Sequence, residues 1–238
     1  MHSRKLEAIP LILIGISCLL LFGVVAWGVY FDTSWLTSFD MSWIERIQGI
    51  VSEGKTAFIT QITQLGNIRL IIALTVVMVI VLFYKRHYAE GLWLGGTILV
   101  CAAIIGKILK VIFDRDRPQF LQLVDKTAES FPSGHSLAAT IFYGLIGLVI
   151  VLTVRQTWKK LAAGLLTLAW IVFLLITRIY LGAHFPSDVL AGFLYGMAVV
   201  FISVGVYLPA LQPLRNLLQK VNVHDKSKLF VRERKRQS

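Results

Sequence analysis

The chain has 238 residues, of which 56% are hydrophobic and only 16% are charged, and its mean hydropathy is +0.73. A soluble domain is usually about 45–50% apolar and about 25% charged. This composition therefore excludes an ordinary soluble enzyme, a disordered tail protein and a disulfide-stapled secreted module. The net charge of +11 at pH 7 is unusual beside such apolarity. It would suggest a nucleic-acid partner, depending on where the charges lie.

The first apolar run indicates a retained membrane span. Residues 8–31 are 24 uncharged residues, whereas the core of a signal peptide has about 7–15. Cys18 and Cys101 both lie in long apolar runs. We expect them to be small buried hydrophobic residues, and neither a disulfide framework nor a zinc site.

Six runs are long and apolar enough to cross a bilayer, which requires about 20 residues. They are residues 8–31, 65–84, 90–113, 136–154, 161–177 and 189–208. The sequence therefore predicts an all-α, polytopic membrane helix bundle with six transmembrane helices, forming a single domain over residues 1–238. An even number of spans places both termini on the same side of the membrane.

The distribution of Lys and Arg predicts the orientation. With an inward N-terminus, segments 1–7, 85–90, 155–160 and 209–238 are cytoplasmic, and they hold 15 of the 24 basic residues. Because cytoplasmic loops carry the excess of positive charge, we expect a multi-pass cell-membrane protein with both termini cytoplasmic. The outer loop 32–55 has four acids and two bases.

The C-terminal tail, residues 210–238, explains much of the net charge. From residue 215 onward it has eight basic and two acidic residues, without an apolar helical stripe or a nucleic-acid-binding motif. We expect this tail to set topology and to contact anionic lipid headgroups. No nucleic-acid partner is expected.

Segment 33–65 has an amphipathic pattern, and Trp35 and Trp43 suit a membrane interface. One helical face is formed by Trp43, Ile44, Ile47, Ile50 and Val51, and the pattern is repeated by Phe58, Ile59 and Ile62. We expect one or two extracytoplasmic interfacial helices on the outer leaflet. Helices that cover the mouth of the bundle would fit the same pattern.

Ionisable residues gather at the outer ends of the spans, where they are functional candidates because charges in membrane segments are costly. They are Lys107 and Lys110 in the third span, 114–117 after it, His135 before the fourth span, Arg178 after the fifth, and His184 and Asp188 at the sixth. Asp114 and Asp116 are expected simply to offset Arg115 and the lysines.

This cluster has the chemistry of a phosphate site. Lys110, Arg117 and Arg178 supply three positive charges, and Arg offers a planar fork that matches phosphate oxygens. Ser133 and Gly134 precede a helix, so their backbone N–H groups can point at an anion, which the helix dipole also favours.

Two histidines beside these cations suggest phosphoryl transfer. One histidine must be neutral to attack phosphorus, and a carboxylate can fix its tautomer, for which Asp188 is the obvious partner of His184. The other, His135, can protonate the leaving oxygen and later activate water. Residue chemistry alone leaves open which histidine is the nucleophile.

These residues resemble the three signatures of the type 2 phosphatidic acid phosphatase superfamily, the lipid phosphate phosphatases. Lys110 and, after six residues, Arg117-Pro118 is similar to the first, residues 132–135 (Pro-Ser-Gly-His) match the second, and Arg178, His184 and Asp188 match the third. The resemblance covers residues 107–209. One departure is Thr177, where the family usually has Ser, and because Thr keeps the hydroxyl we expect no loss of activity.

The resemblance implies a metal-independent phosphohistidine mechanism without a cofactor. His184 would attack the phosphate, Asp188 would orient it, and His135 would protonate the leaving group. The phosphate oxygens would be held by Lys110, Arg117, Arg178, Ser133 and the Gly134 amide. An Mg²⁺ site requires several carboxylates that converge on the ion. Only Asp188 lies in the core of this cluster, so no metal is expected.

The short outer loops predict a membrane lipid as substrate. Among the substrates of the family, phosphatidylglycerophosphate and undecaprenyl pyrophosphate are the leading candidates, and the signatures do not decide between them. One alternative is a lipid phosphotransferase, in which an acceptor alcohol replaces water. A transporter is disfavoured because the charges lie at the outer boundary and the span centres are uncharged.

Overall fold

The structure is a computed structural model that describes residues 2–119, 122–123 and 129–229. All regular elements within these ranges are helical, which confirms the all-α fold class. The α-helices are α1 (His2–Tyr30), α2 (Ser34–Gln48), α3 (Glu53–Ile62), α4 (Ile68–Tyr84), α5 (Tyr88–Thr97), α6 (Gly106–Phe113), α7 (Gly134–Thr153), α8 (Thr157–Tyr180) and α9 (Pro186–Lys220). A π-helix, Ile98–Ile105, joins α5 to α6.

Within the described ranges, five helical stretches could cross a membrane, and a sixth span results if the bent pair Glu53–Gly66 and Ile68–Tyr84 counts as one. The bend of 45° falls at Asn67, whose side chain caps α4 by accepting the N–H of Arg69 at 3.0 Å. The other five spans are Ala8–Tyr30, Tyr88–Phe113, Gly134–Thr153, Thr157–Tyr180 and Pro186–Lys220. The chain is therefore a multi-pass membrane protein, as predicted.

The last helix is longer than predicted. The hydropathy pattern ends this span before Pro209, whereas α9 continues through Pro209 and Pro213 to Lys220. A proline removes one intrahelical hydrogen bond, but Tyr207 and Leu211, on either side of Pro209, are buried in a cluster with Ala89. This packing holds the helix together across the break in its hydrogen bonding.

After α9 the chain folds back onto the start of α5, and we call residues 222–229 the C-terminal strap. The Asp225 carboxylate accepts the N–H of Ala89 at 3.1 Å, and the Ser227 hydroxyl accepts the N–H of Glu90 at 3.3 Å. In return, Glu90 accepts the N–H groups of residues 228 and 229, both at 2.8 Å. The strap thus caps N–H groups in the first turn of α5. The rest of the predicted basic tail, residues 230–238, lies outside the described residues.

Helices α7 and α9 approach closely along a seam of small residues. A Cβ atom at Gly192 would lie 2.8 Å from the carbonyl oxygen of Ser133, and one at Gly196 would lie 2.6 Å from the Cβ of Thr140. Without these glycines the two backbones could not come so near, which is how small residues act in membrane helix packing. The seam brings the N-terminal turns of α7 and α9 together.

Helix α1 runs antiparallel to α9. A Cβ atom at Gly205 would lie 3.2 Å from the carbonyl oxygen of Ala8, and one at Gly15 would lie 3.0 Å from that of Ala198. The start of α1 therefore lies beside the C-terminal half of α9. This end of the bundle is opposite to the one that holds the first turn of α9.

The two short helices α2 and α3 lie at the end of the bundle where α9 begins. Ile44 and Ile47 of α2 are buried against a cluster from α8 and α9, so α2 covers the mouth of the bundle, the second of the two arrangements expected. The predicted five-residue apolar face is interrupted, because α2 ends at Gln48 and both Ile50 and Val51 lie beyond it.

Candidate active site

The turn between α8 and α9 positions His184 and Asp188. Pro186 is the first residue of α9, where a proline is favoured. The Asp188 carboxylate reaches back to accept the N–H of Phe185 at 2.9 Å through its Oδ2 atom. His184 is 4% exposed and Asp188 is fully buried. The two side chains are therefore fixed beside each other within one turn of chain.

The imidazole of His184 lies between an acidic side and a basic side. Its Nδ1 atom is 3.6 Å from Oδ2 of Asp188 and 3.3 Å from Oγ of Ser130, and Ser130 itself donates to Asp188. Its Nε2 atom is 3.3 Å from Nη1 of Arg117. Since a guanidinium only donates, Nε2 is the accepting nitrogen and Nδ1 carries the proton. The lone pair of Nε2 thus faces the cations.

Burial lowers the pKa of His184 from 6.5 to about 3, an effect that outweighs the opposing influence of Asp188 and that Arg117 and Arg178 reinforce. The imidazole is therefore neutral at pH 7. A neutral imidazole with an available lone pair is the nucleophilic form of histidine.

The three predicted phosphate-binding cations come from three separate segments. Lys110, from the end of α6, and Arg117 both donate to the carbonyl oxygen of Glu129, and Arg117 also donates to that of Ala183. Burial lowers the pKa of Arg117, and Asp188 and Glu129 oppose the shift. These hydrogen bonds direct Arg117 toward the turn that carries His184, and they direct Lys110 toward residue 129, whose neighbour Ser130 contacts His184.

The third cation, Arg178, is 3% exposed and donates to the hydroxyl of Thr63 at 3.1 Å. The Thr63 hydroxyl is also 2.8 Å from that of Thr177. Thr177, the departure from the family pattern, therefore keeps a hydroxyl that helps to hold Arg178 through Thr63.

The second signature forms the N-terminus of α7, with Ser133 as the N-cap. The Ser133 hydroxyl accepts from Ser136, and the Ser133 N–H donates to the carbonyl oxygen of Asp188 at 3.0 Å. The expectation that this N–H points at an anion is wrong, because the α7–α9 contact uses it. Gly134 is helical and half-buried. The side chain of Lys110 lies beside it, since a Cβ atom added at Gly134 would be 3.7 Å from Cε of Lys110.

His135 lies in the first turn of α7 and is half-buried. A Cβ atom at Gly66 would lie 3.3 Å from Cδ2 of His135, so the imidazole packs directly against the bend before α4. The small-residue seam places this turn beside the first turn of α9. The structure thus assembles the three signatures at one end of the bundle.

Three residues of the site were not identified from the sequence: Asp40, Thr63 and Ser130. Arg115 was among the ionisable candidates but was given no role in the site. Arg115 bridges Asp40 and Asp188 at 2.9 Å and 2.6 Å, and the expectation that Asp114 and Asp116, both exposed, offset it is wrong. Asp40 had a detectable signal, because it lies on the same helical face as Ile44 and Ile47, where a carboxylate is out of place. Thr63 and Ser130 had no comparable signal.

The electrostatics of the bridge follow from its burial. Burial lowers the pKa of Arg115, but the carboxylates of Asp188 and Asp40 outweigh it, and the net shift is upward. Burial raises the pKa of Asp40, opposed by hydrogen bonds from Ser187 and Arg115.

Among the described residues, no group of three or more His, Cys, Asp or Glu side chains could hold a metal ion.

Comparison with known proteins gives a consistent family. The sequence profile of the PAP2 superfamily matches residues 90–210. Phosphatidylglycerophosphatase B of Bacillus subtilis (strain 168) is 34% identical over 151 residues, which are 61% of this chain and 72% of that protein. The undecaprenyl-diphosphatase of Sulfolobus acidocaldarius is 29% identical over 136 residues, 55% of this chain and 61% of that protein.

A further sequence relative and a solved structure are consistent with this family. The lipid A 1-phosphatase of Rhizobium etli is 29% identical over 138 residues, 51% of this chain and 55% of that protein. The crystal structure of a transmembrane PAP2 type phosphatidylglycerolphosphate phosphatase from Bacillus subtilis superimposes with a TM-score of 0.70 at 30% identity, covering 81% of this chain and 94% of that one. The resemblance seen in the sequence is confirmed, and the chain belongs to the PAP2 superfamily.

Proposed function

We propose that this protein is an integral-membrane phosphatase that hydrolyses the phosphate monoester or pyrophosphate of membrane lipids through a phosphohistidine at His184, without a metal. The observation that carries the proposal is the setting of His184, with Nδ1 toward Asp188 and Ser130 and Nε2 toward Arg117. This arrangement leaves a neutral imidazole with its lone pair directed at the cation cluster.

In the first half of the reaction, Nε2 of His184 forms a bond to phosphorus as the bond from phosphorus to the leaving oxygen breaks. His135 gives its proton to that oxygen, so the lipid alcohol or lipid phosphate departs in protonated form. The Asp188 carboxylate, on the Nδ1 side of the ring, stabilises the positive charge that develops on the imidazole, and the Ser130 hydroxyl accepts a hydrogen bond from the Nδ1 proton. Lys110, Arg117 and Arg178 hold the phosphoryl oxygens.

In the second half, water attacks phosphorus and His135, now the base, takes its proton. The bond from phosphorus to His184 breaks, inorganic phosphate leaves, and the neutral imidazole is restored. The N-terminus of α7 faces the same anion, because first-turn N–H groups of a helix have no acceptor within the helix. The Gly134 amide is one of these groups, and the Ser133 hydroxyl supports this turn.

The substrate class follows from chemistry shared by the relatives. Phosphatidylglycerophosphatase, undecaprenyl-diphosphatase and lipid A 1-phosphatase are all named for a phosphate carried by a membrane lipid. We propose phosphatidylglycerophosphate and undecaprenyl pyrophosphate as the substrates to test first. Phosphatidylglycerophosphate is the better supported of the two. The relative with the higher sequence identity and the superimposed crystal structure are both named for phosphatase activity on that lipid.

We further propose that both termini are cytoplasmic and that the site faces the extracytoplasmic side. In support, the segments that hold 15 of the 24 basic residues lie at the end of the bundle opposite to the one that carries His184. An excess of basic residues marks the cytoplasmic side. Lys226 in the strap is exposed, where its ammonium group can contact anionic headgroups. A cysteine at Lys55 should react with an impermeant thiol reagent in intact cells, and one at Lys159 should not. Lys126, an equivalent outer position by sequence, lies outside the described residues.

The test is phosphate release by the purified full-length protein in detergent from a panel of lipid phosphates and pyrophosphates, with EDTA present. Quenching in alkaline SDS after addition of a ³²P-labelled substrate should leave base-stable, acid-labile phosphate on the wild type and none on His184→Ala. A folded His184→Ala variant that turns over at the wild-type rate would contradict the mechanism. Activity lost in EDTA and restored by Mg²⁺ would point to a metal enzyme. Recovery of the label on an added lipid alcohol would identify a phosphotransferase.

A further inference from the structure

Arg115 joins two carboxylates that are far apart in the sequence. Its Nη1 atom donates to Oδ1 of Asp188 at 2.6 Å, and its Nη2 atom donates to Oδ2 of Asp40 at 2.9 Å. The guanidinium carbon lies 4.2 Å from the centre of the Phe185 ring. The guanidinium is therefore fixed in its orientation, with Nη1 bonded to the proposed catalytic carboxylate and Nη2 bonded to Asp40 of helix α2.

Asp40 is built into this site and is not a surface charge. It is 2% exposed, and besides Arg115 it accepts the N–H of Ser187 at 2.7 Å and the hydroxyl of Ser187 at 2.7 Å. Taking a carboxylate out of water is costly unless it is paired and hydrogen-bonded. Here the compensating groups are Arg115 and the first turn of α9, the turn that also carries Asp188.

The two oxygens of Asp188 have different partners. Oδ1 accepts from Arg115, whereas Oδ2 accepts from Ser130 and from the N–H of Phe185 and lies beside Nδ1 of His184. An Arg that faces a single carboxylate favours a bidentate pair that uses both oxygens. Asp40 occupies the second arm of Arg115, which leaves Oδ2 of Asp188 to Ser130, to the N–H of Phe185 and to the Nδ1 side of His184.

We propose that Asp40 is a positioning residue that acts through Arg115 to keep Asp188 oriented toward His184, so that the outer helix α2 is part of the catalytic apparatus. The inference rests on the phosphohistidine mechanism proposed above. The competing interpretation is that Asp40 only anchors α2 to the bundle, in which case it contributes to stability and not to the chemical step.

The variant Asp40→Asn distinguishes a positioning role from a purely structural one. It keeps the shape of the side chain and removes the charge that engages Arg115. The matched control is Gln48→Met, which removes the hydrogen bond from Gln48 of α2 to the carbonyl oxygen of Ile179, at 3.3 Å, without touching the Arg115 bridge. The full-length proteins are assayed in detergent with dioctanoyl phosphatidylglycerophosphate, with thermal midpoints measured alongside. The ¹⁵N shifts of His184 report which ring nitrogen carries the proton.

We expect Asp40→Asn to lower kcat by about tenfold or more, to leave KM within about twofold because substrate binding is unaffected, and to release the His184 proton from Nδ1 into tautomer exchange. Gln48→Met should keep wild-type kcat and a single tautomer. In an Arg115→Gln background, Asp40→Asn should cause no further loss of kcat, because both changes break one pathway.

A fall in the thermal midpoint with wild-type kcat and tautomer in Asp40→Asn would overturn the proposal in favour of a structural anchor. An equal loss of kcat with and without Arg115 would overturn the route through Arg115. If Arg115→Gln does not fold, the tautomer of His184 in Asp40→Asn decides. A wild-type protein that forms no phosphohistidine defeats the proposed function and this inference together, whereas normal phosphohistidine formation in Asp40→Asn defeats this inference alone.

Discussion

Acidification is expected to destabilise the folded protein through His184. In the folded state burial lowers the pKa of His184 to about 3, while an unfolded histidine titrates near 6.5. Between these values the unfolded chain binds more protons than the folded one, so the free energy of unfolding falls as pH falls. At pH 5 the two pKa values correspond to a loss of about 2 kcal/mol, and at pH 8 to almost none.

The measurement is unfolding by SDS in mixed micelles, followed by tryptophan fluorescence at pH 8 and pH 5. His184→Asn lacks the titrating group, so it should lose about 2 kcal/mol less than the wild type over this interval. His224→Asn is the control, because His224 is exposed and lies at the opposite end of α9. Equal losses in the wild type and His184→Asn would refute the reasoning, because they would mean that burial does not keep His184 neutral.

Three further predictions concern the cations, the helix seam and the strap. Lys110→Met should lower kcat by about 100-fold through loss of charge stabilisation, whereas Lys107→Met, one turn away and exposed, should keep wild-type kinetics. Gly192→Ala places a Cβ atom 2.8 Å from the α7 backbone and should destabilise the fold by about 1–3 kcal/mol in SDS unfolding; Gly96→Ala, with nothing within 4 Å, should not. Asp225→Ala uncaps α5 and should cost about 1–2 kcal/mol and speed proteolysis of the strap, while kcat stays at the wild-type value.

The fold class and the family could be predicted from the sequence because both depend on local patterns. A run of about 20 apolar residues must form a helix in a membrane, since only internal hydrogen bonds satisfy its backbone there. The signature residues lie at fixed short spacings at the ends of such runs, and alternating spans bring those ends to one side. The spacing of apolar residues also predicted the amphipathic segment before α4, and it left open whether these helices lie on the membrane surface or cover the mouth of the bundle.

Other features of the fold depend on neighbours that hydropathy does not show. The prolines at 209 and 213 indicate an end to the last span, yet α9 continues because Tyr207 and Leu211 are buried beside Ala89. The strap forms because the first turn of α5 has N–H groups to satisfy, and Asp225 and Ser227 supply the acceptors from more than 130 positions away.

The sequence by itself determined that this is a membrane helix bundle with a cluster of cations and two histidines at one end. Only the tertiary structure decided the surroundings of each group: that Ser130 and Asp188 lie on the Nδ1 side of His184, and that Asp40 shares Arg115 with Asp188. The physical reason is that the state of a histidine is fixed by burial and by the partners of each ring nitrogen. Those partners come from segments that meet only when the helices pack.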